Sequence, residues 1–273
     1  MDLEALDVDQ TGAVLHITLN RPALRNAMSR QMVTELRQVL RVAQDRTGQP
    51  DAVRVVVLRG AGGHFCAGAD LKDMAVARMS AMQQDRDQAL DPLAQVNAEF
   101  GELCLAYAQT PLAVVAVLEG SVMGGGLGLA CVADVVLACD TTVCRLPETA
   151  LGLVPAQIAP FLVERLGYSQ ARRLAVTGGN FNAEQALAIG LVHAVHAPQA
   201  LDAALASLLG QILACAPLAL GATKALMARA RLNTPADLIE PAARIFSRAA
   251  QSAEALEGTA AFLQKRKPNW APP

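Results

Sequence analysis

Two glycine-rich segments, residues 60–71 and 120–128, each follow an apolar, β-branched run that predicts a buried strand. These runs are residues 54–59 and 113–118. A glycine turn that leads into a helix directs free backbone N–H groups outward, and the helix dipole favours negative charge there. Two such turns that converge could each donate one N–H to the same oxygen. The pattern therefore predicts a site for a developing oxyanion or a bound anion, with a close-packed glycine turn as the alternative.

One carboxylate, that of Glu148, follows two predicted short strands at residues 135–138 and 142–146. Most of the stretch from residue 111 to residue 155 is apolar, so we expect Glu148 to lie in a poorly hydrated place. Burial disfavours the charged form of a carboxylic acid and raises its pKa, which prepares the group for proton transfer. Glu148 is therefore the candidate acid/base, and a solvated glutamate is the alternative.

Residue types that often bind metals do not form a recognisable set in this chain. His16, His64, His193 and His196 fall on, near or beside predicted strands without metal-ligand spacing, and we expect structural or surface roles for them. Asp70 stands immediately before a predicted helix, where a carboxylate commonly caps the first turn. We therefore predict no metal site and a capping role for Asp70.

The elements that must position these candidates follow from the apolar pattern. A strand is predicted at residues 14–19, and Ser29 can cap a helix with an apolar stripe from residue 32 to residue 43. A weakly patterned helical segment is predicted at residues 73–91 and a stronger helix at 93–109. Beyond residue 155 the pattern predicts a short strand at 192–195 and helices at 156–166, 169–177, 183–189, 199–215, 217–230, 235–253 and 254–265.

Composition limits the kind of protein and its partners. The chain has 273 residues, 53% of them hydrophobic, which suffices for a sizeable core. The formal net charge is −2 from 23 basic and 25 acidic intermixed residues, and aromatics are only 3%, so no nucleic-acid partner is expected. An alanine- and leucine-rich shift near residue 198 predicts a core at residues 1–197 and a helical region at 198–273.

Cysteine usage and the N-terminal sequence predict a cytoplasmic protein. The six cysteines show no CxxC spacing and lie mostly in apolar runs, as is typical of reduced core thiols. The first residues lack a basic region followed by an apolar one, so no secretory signal is expected. The longest apolar tract, residues 112–139, is interrupted by Glu119, by glycines and by Asp134, which makes a membrane span improbable.

Several short motifs occur in one order along nearly the whole chain. They are Asn20-Arg21-Pro22 with Asn26-Ala27, residues 64–71, Gly124-Gly125-Gly126 with Ala133-Asp134, Pro147-Glu148, residues 186–192 and residues 262–267. Each motif is weak alone, but in this order and spacing they resemble the enoyl-CoA hydratase/isomerase (crotonase) family. The resemblance implies an α/β fold, a spiral of β-β-α units followed by a helical trimerisation region. It also implies a homotrimer or a dimer of trimers.

The resemblance also implies the chemistry. The substrate would be an acyl-CoA thioester whose carbonyl oxygen accepts hydrogen bonds from the backbone N–H groups of Ala69 and Gly125, with Glu148 as the acid/base. A thioester enolate concentrates negative charge on that oxygen, so two fixed donors stabilise it. No cofactor is implied, because CoA is part of the substrate.

Further binding positions are carried over from the family onto matching residues of this chain. Ordinary solvated or core roles are the alternative for each of them. They are Arg25, Ala27, Ala67, Lys72 and Gly124 for substrate and CoA, with Phe262 and Lys265 for the CoA nucleotide, often that of a neighbouring subunit.

Gly128 is the main departure from the family pattern. Hydratases of simple enoyl-CoA thioesters resemble this chain but carry two glutamates, at the positions of Gly128 and Glu148. One of the two carboxylates that hold the attacking water is therefore missing here. Glycine is expected to leave space for a branched acyl group or for an ordered water molecule.

Two reaction classes fit a single carboxylate, and a third reading remains. In a hydratase, Glu148 activates water and protonates the α-carbon, alone or with a second polar group. In an isomerase, it moves one proton between two carbons through the same enolate. A non-catalytic family member that serves as an assembly or RNA-binding protein is the third reading, and the absence of a basic face argues against it.

The segment around Glu148 favours hydration of a particular substrate class. Residues 145–148 and 151–160 resemble bacterial family members that hydrate 3-substituted glutaconyl-CoA thioesters in leucine or acyclic-terpene breakdown. Isohexenylglutaconyl-CoA is preferred over 3-methylglutaconyl-CoA. Arg145 could attract the distal carboxylate of such a substrate or point away from it, and Gln157 could line the acyl pocket or bind water.

Overall fold

The computed structural model describes residues 2–46, 49, 51–83 and 91–272. Within these residues the chain forms two β-sheets and ten α-helices. The strands are β1 (Leu6–Thr11), β2 (Val14–Leu19), β3 (Val55–Gly60), β4 (Ala113–Leu118), β5 (Ser121–Met123), β6 (Val135–Cys139), β7 (Val143–Arg145), β8 (Asn180–Asn182) and β9 (Ala194–His196). The helices are α1 (Arg30–Asp45), α2 (Leu71–Gln83), α3 (Pro92–Gln109), α4 (Gly125–Val132), α5 (Ala159–Thr177), α6 (Ala183–Ala188), α7 (Pro198–Leu213), α8 (Pro217–Ala230), α9 (Pro235–Ala250) and α10 (Ala253–Leu263).

A six-stranded sheet with the order β1-β2-β3-β4-β6-β9 forms the centre of the fold. Strands β1 and β2 are antiparallel, and every other neighbouring pair is parallel. Side chains of β3 alternate between two apolar clusters, with Val56 and Leu58 on one face and Val55 and Val57 on the other. Because both faces are covered, these strands read as continuous β-branched runs in the sequence.

Helix α1 packs into the apolar cluster on one face of the sheet and begins after Ser29, as predicted. The Ser29 hydroxyl accepts a hydrogen bond from the N–H of Met32 at 3.2 Å, which satisfies one free donor of the first turn. Glu35 is buried on the same helix, and its carboxylate accepts the N–H groups of Glu4 at 2.9 Å and Ala5 at 3.0 Å. These bonds tie the start of the chain to α1.

The predicted elements around the site are confirmed, whereas the sequence pattern does not predict β1, β5 or β8. Strand β1 has mostly exposed polar residues, and β5 and β8 have only three residues each, too few to show a period. The helices predicted at 156–166 and 169–177 form α5, which breaks at Gly167, where φ is +73°. The helical prediction for residues 73–91 is confirmed over α2, and residues 84–90 lie outside the described residues.

After residue 198 the described residues form the four helices α7 to α10 and no further strand, as predicted. Helix α7 packs on the second face of the sheet through Leu201 and Leu205. Helices α9 and α10 leave large apolar side chains exposed in the single chain, among them Ile239, Phe246 and Phe262. The division into two regions at residue 198 stays a prediction, and α7 begins at that residue.

The cysteines of this chain are reduced and mostly buried. All six cysteines are free thiols, five of them buried, and burial raises the pKa of Cys66 to about 11. A thiol held in its neutral form is a poor nucleophile.

Among the described helices, none is by itself long and apolar enough to cross a membrane. Helices α7 and α8, which meet at 96°, pass that test of length and composition only as a pair.

Candidate active site

Backbone hydrogen bonds join the two glycine-rich loops directly to each other. The N–H of Cys66 donates to the carbonyl of Ser121 at 3.0 Å, and the N–H of Met123 donates to the carbonyl of Cys66 at 2.9 Å. Glycine is required at this junction, because a Cβ at Gly126 would lie 2.8 Å from the Cβ of Cys66. The predicted convergence of the two loops is therefore confirmed, and it places the segment after Cys66 beside the start of α4.

Ala69 and Gly125 both line one cavity, and their N–H groups have no acceptor within the described part of the chain. Residue 69 is held by a bridge to Met28, whose N–H donates to Gly68 at 2.7 Å and whose carbonyl accepts the N–H of Asp70 at 3.0 Å. Gly125 is the first residue of α4, so its N–H cannot bond within the helix. The dipole of α4 adds partial positive charge at this end, which suits an anionic oxygen.

Glu148 lies next to the N-terminus of α4, in a short 3₁₀ turn that follows β7. The N–H of Gly124 donates to the carbonyl of Arg145 at 3.1 Å, so β7 and the glycine loop are fixed against each other. Gly124 has φ +46°, and a Cβ there would lie 2.8 Å from the Oε1 atom of Glu148. Only glycine at position 124 therefore allows both the turn and the approach of the carboxylate.

The Glu148 carboxylate is desolvated, and only a hydrogen bond from its own backbone N–H compensates in part. Its Oε2 atom is buried and has no hydrogen-bond partner among the residues that the structure describes. Burial disfavours the charged form and raises the pKa of Glu148 above its ordinary value. A raised pKa makes the carboxylate a better proton acceptor, which prepares it for proton transfer, as the sequence suggested.

The cavity that contains these groups has a volume of about 420 Å³ and a largely apolar wall. Met28 and Val33 line it from the α1 side, and Leu93 and Phe100 line it from α3. The Phe100 ring also covers the glycine turn, because a Cβ at Gly125 would lie 3.3 Å from it. Such a site can enclose a branched hydrocarbon group beside a polar reacting centre.

The structure places four of the predicted CoA-contact positions beside the first glycine loop. The N–H of Ala67 donates to the carbonyl of Arg25 at 2.9 Å, and Arg25 adopts a left-handed conformation with φ +47°. The carbonyl of Ala27 accepts a hydrogen bond from Arg21 at 2.6 Å. Lys72 is exposed at the start of α2. None of these four lines the apolar cavity, so their role in CoA binding stays a prediction.

Asp70 has the capping role that the sequence predicts. Its Oδ1 atom accepts the N–H of Lys72 at 2.9 Å, and its Oδ2 atom pairs with the Arg21 guanidinium at 2.7 Å. His64 and His193 also hold the backbone, since the Nδ1 atom of His64 accepts the N–H of Ser121 at 3.1 Å and that of His193 accepts the N–H of Val136 at 2.9 Å. Among the described residues, no group of three or more His, Cys, Asp or Glu side chains is arranged to hold a metal ion.

The expectation that Gly128 leaves open space is wrong. Gly128 is buried within α4, and a Cβ there would lie 2.5 Å from the Cγ2 atom of Ile158 and 3.3 Å from the Phe100 ring. The volume that a glutamate side chain would need is therefore filled by two apolar side chains. Gly128 does not line the cavity, and its effect on the site comes through the side chains that it allows to approach.

The other predicted positions fall into two groups. Gln157 lines the cavity, where its side chain packs against the backbone of α3 at Gly101. Arg145 is exposed on β7 and does not line the cavity. Phe262 and Lys265 are exposed near the end of α10, and they do not line the cavity of their own chain either.

Two cavity residues, Phe100 and Arg30, are not predicted by the sequence. Both follow ordinary helix patterns, and only the packing of α1 against α3 shows that they face the same space. Arg30 forms an ion pair with Glu99 of α3, with 2.6 Å between the Nη2 and Oε1 atoms. Phe100 shares α3 with a second aromatic residue, Tyr107, which is buried in the core, so residue type alone does not mark Phe100 as a cavity residue.

Comparison with known proteins agrees with this geometry. The family model for enoyl-CoA hydratase/isomerase matches residues 9–273. The 2,3-dehydroadipyl-CoA hydratase of Escherichia coli is 33% identical over 272 residues, with 98% of this chain and 99% of that protein covered. The peroxisomal Delta(3,5)-Delta(2,4)-dienoyl-CoA isomerase of Arabidopsis thaliana is 29% identical, with 98% of this chain and 96% of that protein covered.

Solved structures show the same relationship. Pseudomonas aeruginosa AtuE has a TM-score of 0.92 and 48% sequence identity, with 98% of this chain and 100% of that chain covered. An enoyl-CoA hydratase/isomerase from Marinobacter aquaeolei has a TM-score of 0.92 and 45% identity, with 98% and 99% covered. The chain therefore belongs to the enoyl-CoA hydratase/isomerase family of enzymes and has the mixed α/β crotonase fold.

Proposed function

We propose that the enzyme hydrates a 2-enoyl-CoA thioester that is branched at its β-carbon. The proposed substrate class is the 3-substituted glutaconyl-CoA thioesters, with isohexenylglutaconyl-CoA ahead of 3-methylglutaconyl-CoA. The main support for this proposal is that the free N–H groups of Ala69 and Gly125 and the desolvated carboxylate of Glu148 lie in one apolar cavity. Relatives named as hydratases support the reaction class.

The proposed reaction uses the same three groups in two steps. The water oxygen bonds to the β-carbon while Glu148 takes one of its protons, and the electrons of the double bond move to the thioester oxygen. The N–H groups of Ala69 and Gly125 hold that oxyanion. Glu148 then returns its proton to the α-carbon, and the product is a 3-hydroxyacyl-CoA. One carboxylate thus serves as base and as acid, which its raised pKa favours.

A double-bond isomerase is the alternative function, and the single carboxylate is the observation that favours it. In that reaction Glu148 removes a proton from one carbon of the acyl chain and returns it to another, with no water added. A relative named as a dienoyl-CoA isomerase shows that the family includes such enzymes. A non-catalytic binding role fits less well, because a buried carboxylate without a partner lowers the free energy of unfolding and binding alone does not need it.

The apolar wall supports a branched substrate. Met28, Val33, Leu93 and Phe100 surround the space beside the carboxylate, and Leu153 and Val154 extend it on the side of the segment after β7. A volume of about 420 Å³ lies within the range of sites that enclose small organic ligands. A hydrocarbon branch at the β-carbon would gain free energy there from leaving water.

We further propose assembly as a homotrimer or a dimer of trimers. The exposed apolar side chains of α9 and α10 would be covered in such an assembly, as large exposed apolar patches on a single chain usually are. Phe262 and Lys265, which lie outside the cavity of their own chain, would then contact the CoA nucleotide held by a neighbour. CoA enters only as part of the substrate, and the proposed reaction needs no other cofactor.

A substrate panel tests the proposed function. Purified enzyme is incubated with crotonyl-CoA, 3-methylglutaconyl-CoA, isohexenylglutaconyl-CoA and a 3-enoyl-CoA. The products are separated by chromatography and their masses are measured by mass spectrometry. We expect hydration of the two glutaconyl thioesters and little reaction of the others. Turnover of the 3-enoyl-CoA alone would establish the isomerase instead. Tight binding without turnover of any thioester would establish the non-catalytic role.

The packing around Gly128 determines which variants can test its role in substrate preference. A glutamate at position 128 collides with Ile158, so we expect the Gly128→Glu single variant to lose activity on every substrate. In the double variant Gly128→Glu/Ile158→Ala the smaller side chain makes room for the carboxylate. We expect kcat/KM for crotonyl-CoA to rise above that of the wild type, because a second group then holds the water, and kcat/KM for 3-methylglutaconyl-CoA to fall.

The Ile158→Ala single variant is the matched control, since it enlarges the same space without adding a carboxylate. For the wild type and the three variants, steady-state rates on both thioesters give kcat/KM, and thermal melts show whether each variant is folded. A folded double variant that gains nothing on crotonyl-CoA over Ile158→Ala would show that Gly128 does not account for the substrate preference.

A further inference from the structure

Arg30 is the single cation among the described residues that line the cavity. It is the first residue of α1, directly after the Ser29 cap. Its backbone N–H donates to the Oδ2 atom of Asp73 at 2.7 Å, which anchors the residue against α2. The other charged side chains on this largely apolar wall are acidic, so the position of this one guanidinium decides where a second negative charge on a substrate could be accepted.

The guanidinium of Arg30 is already arranged as a carboxylate receptor. Its Nε atom donates to the Oε2 atom of Glu99 at 2.8 Å, and its Nη2 atom donates to the Oε1 atom at 2.6 Å. This bidentate arrangement is the one that guanidinium and carboxylate groups prefer. The Nη1 atom has no partner among the described residues, and the Arg30 side chain is 55% exposed. Two N–H donors of a fixed cation are therefore available toward a ligand.

The charges around the cavity favour one orientation of a dicarboxylic acyl chain. Asp70, Asp73, Glu99 and Glu148 all line the cavity. Asp70 is paired with Arg21, which lies outside the wall, and Asp73 accepts the Arg30 backbone N–H. A distal carboxylate placed elsewhere along this wall would meet either apolar surface or another carboxylate, and like charges at short range repel. Beside Nη1 of Arg30 it would meet a cation instead.

We propose that Arg30 binds the distal carboxylate of the glutaconyl chain and thereby selects dicarboxylic over monocarboxylic enoyl-CoA thioesters. This inference rests on the proposed hydration of a glutaconyl thioester and names the residue that would recognise it. Arg145, the residue that the sequence offered for this role, is exposed on β7 and lies outside the cavity wall. Glu99 acts in this account as an internal competitor that holds the guanidinium in place and weakens its hold on the ligand.

The test compares two thioesters that differ only in the distal carboxylate, 3-methylglutaconyl-CoA and 3-methylcrotonyl-CoA. Their dissociation constants are measured by calorimetry in the Glu148→Gln background, so that turnover does not interfere. We expect Arg30→Met to weaken binding of 3-methylglutaconyl-CoA by roughly 10-fold or more, the effect of losing a charged hydrogen bond. Binding of 3-methylcrotonyl-CoA should change by less than about 2-fold, because it makes no such bond.

The chain offers a matched control and a variant of opposite expected effect. Arg37 forms a similar ion pair with Glu102 between the same helices α1 and α3, at 2.9 Å, but does not line the cavity. Arg37→Met should therefore leave both dissociation constants unchanged. Glu99→Gln removes the competing carboxylate and should tighten binding of 3-methylglutaconyl-CoA alone, and it decides the question if Arg30→Met does not fold.

The outcomes separate this inference from the proposed function. Equal changes for both thioesters in Arg30→Met and in Glu99→Gln, or no change in either, would overturn the inference. A wild-type enzyme that fails to hydrate 3-methylglutaconyl-CoA would overturn that proposed substrate, while a selective loss of binding in Arg30→Met would still support the carboxylate site.

Discussion

Replacing Glu148 by glutamine is expected to lower kcat by roughly 10²-fold or more, the usual contribution of a general acid/base group. Glutamine keeps the size of the side chain but cannot accept and return a proton. Among the described cavity acids, Glu148 alone has a buried carboxylate oxygen without a hydrogen-bond partner. Asp70 and Glu99 form ion pairs and Asp73 accepts the Arg30 N–H, so none of them is free to take over both transfers. KM should change little, because the cavity wall and the two N–H groups remain.

The same substitution should raise stability at neutral pH. Burial raises the pKa of Glu148 in the folded protein, so the folded state binds the proton more tightly than the unfolded state does. The ionised group therefore lowers the free energy of unfolding once the pH rises through its folded pKa, and it has no such effect below its unfolded pKa. Glu148→Gln removes this penalty, and its Tm should equal or exceed that of the wild type at pH 7.

Lower activity together with unchanged or higher Tm is the result that identifies Glu148 as the acid/base. Stopped-assay rates on 3-methylglutaconyl-CoA measure the activity. Thermal melts at about pH 4 and about pH 7, below and well above the ordinary glutamate pKa, measure the stability. Glu102→Gln, on the exposed part of α3, is the control for loss of a carboxylate as such. A folded Glu148→Gln enzyme with near wild-type kcat would remove Glu148 from the mechanism.

Replacing Gly125 by proline is expected to lower kcat by about 10²-fold, the effect of losing one oxyanion donor. Gly125 is the first residue of α4, the helix position that tolerates proline best, because its N–H makes no intrahelical bond. The substitution therefore deletes the donor while the helix can persist. The dipole of α4 and the N–H of Ala69 remain, so some activity should survive.

Gly125→Ala separates the loss of the donor from the added side chain. Alanine retains the N–H and places a Cβ at about the same point, 3.3 Å from the Phe100 ring. We expect Gly125→Ala to lose much less activity than Gly125→Pro, provided that circular dichroism shows both to be folded. Similar losses in the two variants would mean that crowding against Phe100, and not the missing N–H, is responsible.

Local signals in the sequence predict the framework of the site well. The continuous run at 113–118, the glycines that follow it and the Ser29 cap each determine a structure within a few residues of chain, so β4, the start of α4 and α1 are where they were expected. The desolvation of Glu148 follows from the apolar stretch around it. Strand β1 is the counterexample, because its exposed polar residues pair with β2 without leaving an apolar pattern.

The features of the site that the sequence does not predict depend on contacts between segments that are distant along the chain. The space expected at Gly128 is filled by Ile158, 30 positions later in the chain, and by Phe100 of α3. The carboxylate partner of Arg30 is likewise 69 positions away, on α3. Neither contact has a local periodic signal, because each depends on how two helices pack. Residues that meet at the candidate site were therefore predictable, whereas residues that shape the cavity around it were not.

The mass of the product formed from 3-methylglutaconyl-CoA distinguishes hydration from isomerisation. We expect the wild-type enzyme to convert this thioester to a species heavier by one water molecule, with one deuterium retained on the α-carbon when the reaction is run in D₂O. Glu148→Gln should form this product at a greatly reduced rate. A product of unchanged mass in ordinary water, with the double bond moved, would contradict hydration and establish the isomerase.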